Sequence, residues 1–232
     1  MANTWQNLSS DGSVRWLKYS FGPGRANTLA ARLDDGTWLV VSPALNTGQE
    51  ALEVLAKEGG VSALVAPNGF HHLGQAEWRA KFPKAISYAP EGALPRLTKK
   101  SFGITYKPLS SLQPLLGTRV SVLVPDGMKV PDLLVQASAS GKSVWYTGDL
   151  LSNTSTDDLS LMFRLIMTPL GAGPGYRFNR LPALVYVKDR KAWTRSVLEA
   201  MEKNPPSAIL PGHGSPITEG VMEKTRSILS GT

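Results

Sequence analysis

Apolar and polar positions alternate near the start of the chain in a way that is typical of paired strands. Two strand-like segments, residues 14–19 and 28–33, lead into Asp34-Asp35-Gly36, and a further apolar run covers 37–42. Asp-Gly permits the positive φ of a tight turn, and the flanking β-branched and aromatic residues suit strands. The pattern therefore predicts an antiparallel β-hairpin over residues 28–42.

Beyond this hairpin the period changes. Apolar residues recur at helical spacing over 50–58 and stop at Gly59-Gly60. A short apolar strand at 62–66 is then broken by Pro67-Asn68-Gly69, and a helical pattern over 73–81 ends before Phe82-Pro83. The sequence here predicts helix, strand, loop and helix in that order.

The middle of the chain is rich in strand-like segments and the last third is rich in helical ones. Predicted strands cover 85–88, 103–106, 120–124, 133–137, 143–147 and 208–210, with a hairpin turn at 140–143. Predicted helices cover 157–168, 189–203 and 216–229. Strands and helices in both halves, with no linker between them, predict a layered α/β or α+β sandwich that forms a single domain over residues 1–232.

Composition narrows the chemistry. The chain has no Cys and three His, so a metal site must use His, Asp, Glu or backbone oxygens. No apolar stretch approaches the length of a transmembrane helix, and the N-terminus lacks the pattern of a signal peptide. We therefore expect a cytoplasmic protein.

The charge is strongly positive, with 25 Lys and Arg against 18 Asp and Glu. Such a surface suits anionic small molecules, nucleic acid or an anionic membrane, and it also occurs in proteins with no charged partner. No nucleic-acid-binding motif accompanies the charge, so the sequence disfavours nucleic acid as a partner.

All three His and one Asp stand beside breakers at the ends of predicted strands, where functional sites are usually built. His71 and His72 follow the Pro-Asn-Gly breaker, Asp149 ends Thr147-Gly148-Asp149, and His213 lies within Pro-Gly-His-Gly. Taken singly, each has a structural interpretation, since His is often a core residue and Asp often caps a helix or turn.

Their order along the chain changes this interpretation. A strand followed by a loop, His-His and a helix, then Thr147-Gly148-Asp149, then Pro211-Gly212-His213-Gly214, resembles the metallo-β-lactamase fold superfamily over most of the chain. Within that superfamily the chain looks most like a divergent bacterial branch with Pro-Asn-x-x-His-His, here residues 67–72. The resemblance implies a four-layer αββα sandwich and metal-dependent hydrolysis.

The resemblance also implies a reduced metal site. The superfamily motif His-x-His-x-Asp-His, aligned on His72, places Pro67 and Gly69 at its first two His, and the later His of the first metal site is missing near 125–128. The second site keeps a full ligand set if His replaces Asp. Its ligands would be His71, His72, Asp149 and His213, which suit one divalent ion such as Zn(II), Fe(II), Mn(II) or Ni(II).

Two functions follow from this set. One is a mononuclear hydrolase acting on an ester, lactone, thioester or phosphoester, with Asp149 in the catalytic centre and Asp126 as a supporting or basic residue. The other is a catalytically inactive relative, in which the same residues form a hydrogen-bonded cluster and the fold serves as a binding or scaffold module.

Residues 160–195 hold seven Lys and Arg against a single Asp. By resemblance this segment is a lid over the site or a contact in a homodimer, with an anionic membrane surface as the alternative. Its apolar residues either line a pocket for an acyl or anionic small-molecule substrate or belong to the core. These residues are Phe163, Met167, Tyr176 and Phe178.

Overall fold

The first half of the chain builds one large sheet. The computed structural model describes residues 4–22, 24–158, 160–168 and 173–231, and in it this sheet has the order β1-β2-β3-β4-β5-β6-β7. Its strands are β1 Gln6–Asn7, β2 Val14–Ser20, β3 Arg25–Arg32, β4 Trp38–Val41, β5 Val61–Val65, β6 Ile86–Ala89 and β7 Tyr106–Pro108. Neighbours from β1 to β4 are antiparallel, and those from β4 to β7 are parallel. The predicted hairpin is confirmed, with Gly36 at a φ of 84° in its turn.

The second half contributes two smaller sheets, ordered β13-β10-β9-β8 and β12-β11-β14. Their strands are β8 Val120–Leu123, β9 Leu134–Ala139, β10 Lys142–Tyr146, β11 Leu151–Thr154, β12 Gly175–Phe178, β13 Pro206–Leu210 and β14 His213–Gly214. The predicted hairpin turn between β9 and β10 is confirmed, because Ser140 and Gly141 both have positive φ and join antiparallel strands.

Helices cover the outer faces of the sheets. They are α1 Gln49–Lys57, α2 Gln75–Lys81, α3 Leu94–Lys100, α4 Gln113–Leu116, α5 Leu161–Met167, α6 Arg180–Tyr186, α7 Arg190–Lys203 and α8 Val221–Ser230. The described residues contain no helix that is long and apolar enough to cross a membrane.

Alternation along the strands shows how the layers pack. In β10, Val144 and Tyr146 face the core between the two larger sheets, whereas Trp145 faces the opposite way and joins the cluster that includes residues of α7 and α8. In β4, Leu39 and Val41 face the same central core, whereas Val40 packs with residues of α1 and α2. This two-residue period produces helix, sheet, sheet and helix layers, so the predicted αββα sandwich is confirmed.

Three predicted elements are wrong in their bounds. The helix predicted at 216–229 begins only at Val221, and Ile217 instead pairs with Ile209 in an isolated β-bridge. The strand predicted at 103–106 begins only at Tyr106, because Gly103 turns the chain with a φ of 77°. The helix predicted at 157–168 is a short 3₁₀ turn, Thr156–Asp158, followed by α5, and Leu159 between them lies outside the described residues.

Candidate metal centre

The three segments that carry His71, Asp149 and His213 leave the sheets at one edge. Residues 66–71 follow β5, Asp149 follows β10, and His213 follows β13. Strands β10 and β13 are parallel, with Tyr146 paired to Leu210, so the turns after them emerge side by side. Since carboxyl ends of parallel strands meet at one edge, this topology brings together residues that are far apart in sequence.

His71, Asp149 and His213 form what we call the His–Asp–His cluster. Nε2 of His71 lies 2.7 Å from Asp149 Oδ1, and Nε2 of His213 lies 3.1 Å from the same oxygen. One potential ligand atom from each residue lies within 4.8 Å of the others. His71 and Asp149 are buried, and His213 is partly buried. Two imidazoles and a carboxylate therefore converge on one point.

Each imidazole of the cluster also contacts a second polar group through its Nδ1 atom. His213 Nδ1 donates to the backbone carbonyl of Arg25 at 2.8 Å, which leaves Nε2 as the atom facing Asp149. His71 Nδ1 lies 2.7 Å from Ser42 Oγ, and that oxygen lies 3.1 Å from the hydroxyl of Tyr19. These contacts fix both ring orientations, as is usual for metal-binding imidazoles.

The second oxygen of Asp149 is fully engaged. Asn68 Nδ2 and the Tyr186 hydroxyl both donate to Oδ2, each at 3.0 Å. The same Asn68 Nδ2 donates to Asp132, whose other oxygen accepts the backbone N–H of Asp149 at 2.7 Å. The two oxygens of the Asp149 carboxylate thus differ in their contacts. Oδ2 accepts the hydrogen bonds that fix the side chain, and Oδ1 faces the two imidazoles.

Burial and neighbouring charges shift the pKa values of Asp149 and Asp132 in opposite directions. Burial would raise the pKa of Asp149, but the charge of His71 and the hydrogen bonds from both imidazoles hold it well below its usual range. Burial raises the pKa of Asp132 well above its usual range, and the charge of Asp149 raises it further. Asp149 therefore carries the negative charge of this pair.

The pKa of His213 is also shifted. Burial acts to lower it, but the hydrogen bond to Asp149 and the charge of that carboxylate raise it above its usual value. Nδ1 donates to the Arg25 carbonyl and Nε2 faces the Asp149 carboxylate, an arrangement that favours the imidazolium form of the ring.

Local backbone demands explain the Thr-Gly-Asp and Pro-Gly-His-Gly turns. Gly148 has a φ of 58°, and a Cβ there would lie 2.4 Å from the Asp132 carboxylate. A Cβ on Gly212 would lie 2.6 Å from the Gly148 carbonyl oxygen, to which Gly212 N–H donates. Asn27, in the first sheet, is hydrogen-bonded to the Pro-Gly-His-Gly turn, because its Nδ2 donates to the carbonyls of Pro211 and Gly214.

An apolar cleft of about 290 Å³ opens above the cluster. Its residues, apart from the cluster itself, are Tyr19, Phe21, Ala26, Phe70, Leu73 and Tyr186. The ring of Phe21 meets His213 edge-on at 5.6 Å, and Phe70 lies 5.9 Å from Tyr186. A small ligand in this cleft would rest on aromatic walls with the cluster at its polar end.

Two predicted site residues lie outside the cluster. His72 is half-buried, its Nδ1 has no partner among the described residues, and its pKa is lowered by burial and by the charge of Arg96. Asp126 is exposed, and its backbone N–H donates to Ser196 Oγ. The structure thus gathers His71, Asp149 and His213 but brings neither His72 nor Asp126 to them.

Of the two alternatives for the apolar residues of 160–195, a pocket lining or the core, the structure supports the core for the two residues that can be placed. Phe178 is buried against Trp193 at 5.1 Å between ring centroids, and the Tyr176 hydroxyl lies 2.9 Å from Thr225 Oγ1. Both pack in the interior, away from the cleft. The side chains of Phe163 and Met167 lie outside the described residues.

Sequence reasoning misses Asn68, Asp132 and Tyr186. The sequence marks Asn68 only as part of a breaker, although its Oδ1 also accepts the backbone N–H groups of Phe70 and His71. Asp132 stands directly before the predicted strand at 133–137, and a position at a strand end is the signal that singles out the other candidates. Tyr186 carries no signal, because its helix has no recognisable sequence pattern.

The donor set fits a single divalent ion. Bond lengths of about 2.0–2.2 Å to imidazole nitrogen and carboxylate oxygen require ligand atoms roughly 3–3.6 Å apart. The distance of 3.1 Å from His213 Nε2 to Asp149 Oδ1 meets this requirement, whereas the distance of 2.7 Å from His71 Nε2 would have to lengthen slightly. Two His and one carboxylate leave further coordination positions open towards the cleft. The partners on Arg25, Ser42, Asn68 and Tyr186 supply the outer hydrogen bonds that such ligands need.

Comparison with known proteins agrees with this architecture. No protein-family model and no curated protein matches the chain. Among solved structures, the DIM-1 metallo-β-lactamase is 14% identical with a TM-score of 0.63, covering 100% of this chain and 98% of its own. A metallo-β-lactamase from Pontibacter korlensis is 13% identical with a TM-score of 0.62, covering 99% and 100%. One from Hirschia baltica is 14% identical with a TM-score of 0.56, covering 99% and 98%. The chain therefore has the metallo-β-lactamase fold.

Proposed function

We propose that this chain, with its metallo-β-lactamase fold, is a mononuclear metal-dependent hydrolase. The observation that carries the proposal is the convergence of His71 Nε2, Asp149 Oδ1 and His213 Nε2, each held by an outer partner. The substrate is an ester, lactone, thioester or phosphoester small enough for the cleft. Zn(II), Fe(II), Mn(II) and Ni(II) all suit this donor set.

A bound divalent ion would supply a water acidified to a pKa of about 7 and would polarise the substrate oxygen. The chain's own residues prepare the site for it. Asp149 provides one negative charge, and Tyr186 and Asn68 keep Oδ2 occupied so that Oδ1 faces the ion. His213 is held by Arg25 with Nε2 forward.

The cleft walls limit what can react. Phe21, Phe70 and Leu73 offer apolar contact beside the cluster, so a substrate that fills the cleft would displace water there and strengthen electrostatic interactions. A substrate with a compact apolar group next to its scissile bond fits these walls, because the wall residues carry no charge. This chemistry favours short acyl esters and lactones over highly charged substrates.

One observation favours the alternative, a catalytically inactive binding or scaffold module. All four hydrogen bonds that the Asp149 carboxylate accepts come from protein groups, two at each oxygen. Such a cluster is satisfied without an ion. Metal analysis separates the two functions, since only the first requires an ion.

The test is metal content of untagged protein purified without chelator, measured by inductively coupled plasma mass spectrometry. We expect close to one ion per chain in the wild type and its loss in a His71→Ala/His213→Ala variant. His72→Ala is the matched control, because His72 is adjacent in sequence but lies outside the cluster. We expect it to retain the ion.

Hydrolysis is then measured with the metal-loaded protein on short-chain naphthyl esters and lactones, with Asp149→Asn as the variant expected to lose activity. A wild type that takes up none of the four metals would overturn the proposal in favour of the inactive module. Loss of the ion in His72→Ala instead of the double variant would assign the site to different residues.

A further inference from the structure

Exposed apolar side chains are concentrated in the cleft wall and on two short helices of the second half. Ten large apolar side chains are exposed among the described residues, and seven of these belong to the cleft mouth or to α5 and α6. We call these seven the apolar face: Phe70, Leu73, Leu161, Met162, Leu165, Leu184 and Val185. A patch of this kind on a protein surface usually marks a binding surface.

The chain path places both helices near the cleft. Tyr186, at the end of α6, lines the cleft next to Leu184 and Val185. Before α5, Asp158 pairs with Lys18 at 2.7 Å, and Lys18 adjoins Tyr19 of the cleft wall. Helix α6 therefore ends at the cleft wall, and α5 begins beside the strand that supplies Tyr19.

The exposure within these helices is unusual for elements of a water-facing surface. Leu184 is 79% exposed and Met162 is 74% exposed, and Arg164 is the only charged residue of α5. A short helix of this composition gains little by itself in water, because helix stability in proteins comes mostly from burial of an apolar side.

Positive charge dominates the segment of the chain that carries α5 and α6. Residues 160–195 contain seven Lys and Arg and one acidic residue, Asp189. Asp189 is already engaged, since it accepts the backbone N–H of Ala192 at the start of α7. Among the described residues, none of the ion pairs includes any of the seven cations.

We propose that the apolar face docks onto an anionic membrane surface. Apolar side chains flanked by Lys and Arg match a lipid surface, where the side chains enter the headgroup region and the cations meet lipid phosphates. A second copy of this chain fits less well, because a two-fold contact through this face would bring the cations of both copies together.

Docking through the apolar face would orient the cleft relative to the membrane. With the apolar face against the lipid, the cleft mouth beside Phe70 and Leu73 would open towards the headgroup region. A ligand could then pass from the bilayer to the cluster without crossing water. Docking itself uses none of the proposed metal ligands and stands apart from the proposed hydrolysis.

The test is co-sedimentation of the full chain with two kinds of vesicle, phosphatidylcholine alone and phosphatidylcholine mixed with phosphatidylglycerol, at low salt. We expect binding to the anionic vesicles, weakened by added salt. A Leu161→Ser/Leu165→Ser variant should lose most of it. Phe102→Ser is the control, because Phe102 is fully exposed but precedes β7, at the sheet edge opposite the cleft.

Charge is tested in the same assay. Lys188→Gln/Lys191→Gln should weaken binding by about fivefold for each lysine removed. Lys142→Gln/Lys203→Gln removes the same charge at the opposite end of the sandwich, where β10 begins, and should have a much smaller effect. Circular dichroism and thermal unfolding establish that every variant is folded.

Three results would overturn the proposal. They are no sedimentation with anionic vesicles, equal sedimentation with both vesicle types, and equal losses in the variants and their controls. A dimer by light scattering that Leu161→Ser/Leu165→Ser converts to monomer, without vesicle binding, would assign the face to self-association. The His71→Ala/His213→Ala variant should still sediment, so failure of docking and failure of metal binding are distinguishable.

Discussion

Ser42 occupies a left-handed backbone conformation, with a φ of 54°, directly behind the cluster. This conformation costs a residue with a side chain about 1–2 kcal/mol. Its hydroxyl lies between His71 Nδ1 and the Tyr19 hydroxyl, and its carbonyl accepts from Thr28 Oγ1 at 2.6 Å. Backbone strain at this residue is thus coupled to the orientation of a candidate ligand.

Two substitutions at Ser42 separate the strain from the hydroxyl. Ser42→Ala and Ser42→Gly both remove the hydrogen bond to His71, and we expect each to lower metal affinity by about 10–100-fold. Only glycine relieves the strain, so Ser42→Gly should be more stable than Ser42→Ala by about 1 kcal/mol. Competition with a metal-binding dye and urea unfolding measure the two effects. Unchanged affinity in both variants would show that Ser42 does not position His71.

Metal binding should release protons because of His213. The Asp149 carboxylate raises the pKa of this ring above its usual value, and an ion at Nε2 must displace any proton held there. Apparent metal affinity should therefore fall as pH is lowered below that pKa, by about tenfold per pH unit for one proton. Calorimetry in buffers of different ionisation enthalpy counts the protons. A count of zero would contradict the imidazolium assignment.

At the scale of single residues, the sequence predicts the cluster better than its surroundings. His71, Asp149 and His213 are accessible to sequence reasoning because a rare residue type or a Gly-Asp pair stands at a strand end. Tyr186 is not, because its contact with Asp149 depends on how α6 packs, which no local pattern encodes. The sequence does not distinguish His72 from His71, because adjacent residues in an irregular loop can point in many directions, and only His71 lies in the cluster.

Among the elements, the turn at 211–214 depends on a residue far away in sequence. Asn27 is completely buried in β3 and donates to the carbonyls of Pro211 and Gly214 at 2.8 and 2.6 Å. The backbone N–H of Asn27 also donates to the Gly212 carbonyl. This element therefore joins the first sheet to the turn that carries His213.

Loss of the hydrogen bonds from Asn27 should destabilise the folded protein. Asn27→Ala leaves two carbonyls without their donor, and we expect a loss of about 2–4 kcal/mol in the free energy of unfolding. Asn153→Ala is the control, because Asn153 Nδ2 makes a single, partly buried bond to Ser215, and its loss should cost about 1 kcal/mol. Urea unfolding measures both. Equal losses in the two variants would show that the hydrogen bonds from Asn27 do not contribute more to stability than the single bond of Asn153.

Prediction from sequence is good for long elements and poor for short ones. The pattern predicts α7 and the hairpin from β3 to β4 because each repeats its period over several residues. Helices α3, α4 and α6 span only seven, four and seven residues and lack clear start signals in the sequence, so they are not predicted, although α2, also of seven residues, is. Strand β11, with the sequence Leu-Ser-Asn-Thr, carries no apolar alternation and is defined by its neighbours β12 and β14.

On the scale of the whole molecule, a bound ion should stabilise every layer at once. The cluster joins loops after β5, β10 and β13, which belong to two different sheets. At a free metal concentration of about 100 times the dissociation constant, binding adds about 2.7 kcal/mol. For a chain of this length that corresponds to roughly 5–10 °C in melting temperature.

Differential scanning calorimetry with and without EDTA checks this expectation. The wild type should melt at a lower temperature after chelation and recover with added Zn(II). The His71→Ala/His213→Ala variant should respond to neither treatment. A wild type that is equally unresponsive would favour the satisfied, metal-free cluster.

The layered architecture is predictable because it follows from general physics. Each strand buries alternate residues on its two faces, so strands with apolar residues on both faces need a cover on each side. Which loops meet at the site is not predictable from those periods. The pairing of β10 with β13 joins segments about sixty residues apart, and only the complete tertiary structure determines that pairing.

The separation of the ligands along the chain has a consequence for biosynthesis. A ribosome adds about 5–20 residues per second, so His71 is made roughly ten seconds before His213. A nascent or truncated polypeptide that ends before β13 has two of the three cluster residues and lacks the turn that orients the third. Under the proposed function, such incomplete chains should bind the ion much more weakly than complete ones, and capture of the ion would then mark the chains that have finished folding.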